Sequence, residues 1–60
     1  MNTWDHLRLV QSLKHYEQAY KDTVKLISAA PSPEVAERLW TVAKLYQDSV
    51  VKIRMELKSV

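Results

Sequence analysis

The sequence predicts an all-α fold: an antiparallel two-helix hairpin that dimerises into a four-helix bundle. Three observations carry this expectation. Apolar residues recur at helical spacing on both sides of the midpoint. The midpoint itself, residues 29–34, reads AAPSPE. The chain has 60 residues with no glycine and no cysteine, so it is one domain (residues 1–60) with little chance to stabilise itself alone. A chain of this length buries only about 60% of the surface its unfolded form exposes, and small domains then need a staple. Disulfides are excluded, and His6 and His15 cannot make a zinc site of the usual Cys/His kind. A second copy or another protein is left as the staple.

The first helix is expected over about residues 3–29. Leu9, Val10, Leu13, Tyr16, Tyr20, Val24 and Ile27 fall at steps of three and four, one stripe on a helix. The opposite side carries Arg8, Gln11, Lys14, His15, Gln18, Lys21, Asp22 and Lys25. Asn2 or Thr3 can cap the start, Asp5 suits the positive end of the dipole, and Glu17 and Lys21 stand at ion-pairing distance in sequence.

The turn is expected at residues 30–32. Pro31 would remove a helical hydrogen bond to Ile27 and clash with its carbonyl, and Ala30 and Ser32, each before a proline, are pushed out of the α region. Ser32, Pro33 and Glu34 then form a start signal: a capping hydroxyl, a proline at the first helical position, and an acid in the first turn. The chain folds back at AAPSPE rather than bending through it.

The second helix is expected over about residues 33–59, with a stripe of Val35, Leu39, Val42, Tyr46, Val50, Ile53, Leu57 and Val60. Glu34/Arg38, Lys44/Asp48 and Asp48/Lys52 are candidate surface ion pairs. Helices of this length span about 40 Å. Pairing residues whose numbers sum to about 63 brings Tyr16 and Tyr20 near Tyr46 and Ala43, the geometry of a helical hairpin.

Apolar residues also occur off this seam. Trp40 lies about 100°, Val51 about 120° and Met55 about 160° round from Leu39, and Leu45 falls on the other flank. Ala19, Thr23, Leu26 and Ala30 make a flank of mostly small residues on the first helix. A second packing surface of this kind predicts the four-helix bundle. Two polar residues, His6 and Glu17, project toward the stripe. His6 reads as a helix-end histidine, half exposed. Glu17 is expected to reach a tyrosine hydroxyl, Tyr46 being nearest, or to sit at the rim beside a lysine, since an unpaired buried carboxylate is costly.

Catalytic patterns do not appear. There is no Gly-rich phosphate loop, H-E-x-x-H, C-x-x-C or serine elbow. No catalytic residue, metal ligand or cofactor is assigned. His15, Gln18 and Asp22 share a polar face, and the LKHYEQ around His15 lacks the downstream lysine and glycine of phosphotransfer histidines. The chain is expected not to be an enzyme. No stretch approaches the ~18 apolar residues of a membrane span, MNTWDHLRLV does not read as a signal peptide, and the cytoplasm is the expected compartment.

The expected role is protein–protein interaction as a homodimer: a regulator, adaptor or inhibitor that presents a helical face to another protein. Trp40, Val51 and Met55, with Trp4 and Leu7, are the expected partner or dimer interface, because tryptophan buries much area with few rotors to freeze. The alternative is nucleic-acid binding through Lys14, Lys21, Lys25, Lys52, Arg54 and Lys58, although a net charge of +2 does not by itself predict it. In size and architecture the chain is similar to the helical-hairpin dimers of the Rop type, which would imply RNA as partner. PSPE between two amphipathic helices, with an early tryptophan, resembles the turn of type III secretion needle subunits. That likeness covers the turn alone and would imply a subunit of a larger helical assembly.

Overall fold

The computed structural model describes residues 3–59. The candidate cap Asn2 and the stripe residue Val60 lie outside the described residues. Helix α1 runs Thr3–Ser28 and helix α2 runs Pro33–Lys58, and they pack side by side as a hairpin. The molecule is a thin rod, 46 × 14 × 10 Å. Each helix ends one residue before its expected limit.

The reversal uses the devices the sequence carries. The last turn of α1 tightens, with the amides of Ala29 and Ala30 donating to the carbonyls of Leu26 and Ile27 at 3.1 and 3.2 Å, as helix ends commonly do. Pro31 has no amide to extend the ladder. Ser32 is extended (φ −153°, ψ 160°), its Oγ accepts from the Val35 amide at 3.3 Å, and its carbonyl accepts from Ala36 at 3.1 Å. Among the described residues none has positive φ, so a chain without glycine makes this turn with no left-handed residue. Ser32→Ala should lower stability by about 1 kcal/mol, read as a shift in the urea midpoint at fixed protein concentration. An unshifted midpoint would mean the cap is not needed to start α2.

The seam follows a strict alternation of four and three. On α1 it comprises Leu9, Leu13, Tyr16, Tyr20, Thr23 and Ile27; on α2, Leu39, Ala43, Tyr46, Val50, Ile53 and Leu57. This is the a/d pattern of a coiled coil. Two expectations change here. Ala43, not Val42, faces α1: Ala43 is 0% exposed while Val42 is 40% exposed. Thr23, expected on an outer flank, is the buried residue of α1 at 7%, and Val24 beside it is only half-buried.

The reason is direction: the seam advances by alternating steps of four and three, and Ala43 and Thr23 fall on those steps where Val42 and Val24 do not. Thr23 can be buried there because its Oγ1 donates to the Ala19 carbonyl at 2.7 Å, leaving no orphan hydroxyl. The expected flank of small residues is therefore divided. Thr23 belongs to the seam, Ala19 and Ala30 border it half-buried, and only Leu26 stands out in solvent.

The register agrees with expectation at the centre. The Tyr16 and Tyr46 rings meet across the seam, centroids 6.1 Å apart and tilted by 42°.

Candidate interaction surface

The seam has two edges, and each opens as a shallow groove. One groove, about 180 Å³, is lined by Glu17, Tyr20 and Lys21 of α1 and Gln47, Val50 and Arg54 of α2. The other, about 320 Å³, includes Ser12 and Tyr16 of α1 and Ser49, Lys52 and Glu56 of α2. Lys52 and Arg54 lie about 200° apart round α2, so the grooves are on opposite faces of the hairpin.

Heptad spacing extends each face along the rod. Trp40 shares the row of Gln47 and Arg54, beside Val10, Glu17 and Val24 of α1. On the other face Val42 shares the row of Ser49 and Glu56, beside Ser12, Ala19 and Leu26. These rows follow from the 3.5-residue period of the seam.

All five expected interface residues are solvent-exposed, but they do not form one patch. Trp40 and Val51 lie toward the first face, about 16 Å apart along α2. Met55 turns further outward on α2. Trp4 and Leu7 lie on the outer side of α1, at the open end of the hairpin. A shallow depression of about 620 Å³ beside Trp40, between Glu34, Glu37, Arg38, Thr41 and Lys44, is lined by α2 alone. It is a helix surface, not an enclosed site. The sequence reading missed Val42 as a surface residue, having assigned it to the seam. Counting strict four–three steps from Tyr46 would have exposed the error.

Glu17 finds a partner other than the expected tyrosine or lysine. Its Oε1 lies 3.8 Å from Arg54 Nη2, with the arginine exposed and the glutamate half-buried. The arginine reaches Glu17 across the seam from α2. This ion pair joins the two helices. Glu17/Lys21, Glu34/Arg38, Lys44/Asp48 and Asp48/Lys52 do not close to contact distance. Such pairs gain little in water and lose rotamer freedom.

The basic residues are dispersed. Lys14, Lys21 and Lys25 run along the outer side of α1, Lys52 and Arg54 flank opposite grooves, Arg54 is engaged by Glu17, and Lys58 sits in the last turn of α2. His6 is exposed in the second turn of α1. The ring of His15 packs edge-on to Tyr16 with centroids 5.5 Å apart, and Gln18 Nε2 donates to Asp22 Oδ1 at 2.9 Å. Among the described residues no three His, Cys, Asp or Glu side chains gather as a metal group, and no helix is long and apolar enough to cross a membrane. No family model, curated protein or solved structure matches the chain.

Proposed function

We propose that this chain is a non-catalytic protein–protein interaction module that acts as a homodimer. Two hairpins form a four-helix bundle, and the bundle presents an outer helical face, anchored by Trp40 and Val51, to another protein. One observation supports this above the others. The hairpin exposes 4930 Å². A compact monomer of 7.0 kDa exposes about 4,000 Å². The excess, roughly 900 Å², is close to the ~800 Å² that each partner contributes to a standard interface.

The nucleic-acid reading has weaker support, because the six candidate cations point in several directions and one is already paired. Phosphate contacts would show as steep salt dependence. Sedimentation of the purified chain over a wide concentration range tests the proposal. The expected result is a reversible monomer–dimer equilibrium. A folded monomer at every concentration would overturn it, and growth beyond a dimer would point instead to a larger helical assembly.

A further inference from the structure

Each hairpin has two long faces, and the homodimer proposed above needs only one of them. We infer that the second copy docks on the face bearing Leu26, Val42, Leu45 and Ser49, opposite the face bearing Trp40. This inference rests on the homodimer reading and assigns its interface.

Apolar exposure is the first argument. Leu26 is 58% and Leu45 62% exposed, with Val42 between them on the same side of the rod. Charge is the second. The two rows that border the seam here, Ser12–Ala19–Leu26 on α1 and Val35–Val42–Ser49 on α2, carry no charged side chain. Charge lies on the flanking outer rows, at Arg8 and Asp22 of α1 and Arg38 and Lys52 of α2, and at Asp5 and Glu56 toward the open end. On the opposite face the Glu17–Arg54 pair stands at mid-rod with Lys21 beside it. Burying that face would strip water from three charges, and desolvation of an ion pair can exceed its Coulombic gain.

Hydrogen bonding is the third argument. Ser49 Oγ already donates to the Leu45 carbonyl at 3.2 Å. Its hydroxyl can be covered by another chain without being orphaned, as the Thr23 hydroxyl is in the existing seam. Docking here widens the two-helix seam into a bundle core. The Trp40–Val51 face is left outward, free for a foreign partner.

Single-cysteine variants test the assignment, since the chain has no cysteine of its own. Leu45→Cys and Val51→Cys are alkylated at concentrations well above and well below the dimer midpoint. The expected result is at least tenfold slower alkylation of Leu45→Cys in the dimer, with the rate for Val51→Cys nearly unchanged. Protection at position 51 rather than 45, or at neither, while sedimentation shows a dimer, overturns this interface and leaves the dimer standing. A monomer throughout overturns the dimer itself. Leu45→Arg provides an independent check. It should give a helical chain that sediments as a monomer, whereas Val51→Arg should remain dimeric, and the reverse order would count against the assignment.

Discussion

Ala43→Leu should destabilise the hairpin more than any other single substitution of similar size. Ala43 has no exposed surface at all, so a helix lies directly over its methyl group. Leucine adds three carbons where no space exists. Overpacking of this kind costs about 1–3 kcal/mol. A chain of 60 residues has roughly 3–9 kcal/mol of total stability, so a large share would be lost. Each kcal/mol shifts the melting temperature of a small domain by about 4–8 °C. Thermal melts followed by circular dichroism should therefore show a drop of about 4–24 °C. Protein concentration must be fixed, because dimerisation makes the melting temperature concentration-dependent. Val42→Leu, one residue away, is the control, since the added carbon meets solvent or the partner copy and should change little. Equal effects at positions 42 and 43 would mean that α2 does not present Ala43 to α1.

Ile53→Ala should cost about 2 kcal/mol, the lower end of the range for buried Ile-to-Ala changes. Among the described residues Ile53 is one of three buried apolar residues, with Ala43 and Val50. A seam only two helices deep can partly collapse around the lost atoms, which sets the lower figure. Met55→Ala, in the next half-turn and facing solvent, should stay within about 0.5 kcal/mol. Urea titrations with unchanged m-values would read both. A larger loss at position 55 than at 53 would place the core on the wrong side of α2.

How far the sequence reaches can be judged from these same residues. The two helices, their near-equal lengths and the reversal at Pro31–Pro33 were legible because each rests on local chemistry. Proline lacks an amide, serine caps, and apolar residues three and four apart make a stripe. The contact of Tyr16 with Tyr46 was legible too, since a short turn between equal helices leaves little freedom of register.

The neighbours of those residues were not legible. Adjacent residues differ by about 100° in direction on a helix, so a stripe drawn from one chain alone leaves a choice between Val42 and Ala43, or between Thr23 and Val24. Hydrophobicity selects the valine in each pair. The packed structure selects alanine and threonine, because they fall on the alternating four-and-three steps that keep one face of each helix turned to the other. Glu17 shows the same limit: its arginine partner lies 37 residues further along the chain, on the other helix, where pairing by same-helix spacing does not reach. The sequence by itself determined that the chain is helical and where it turns. Tertiary structure alone decided which side of each helix faces inward, because that direction is fixed by what the opposite helix can approach.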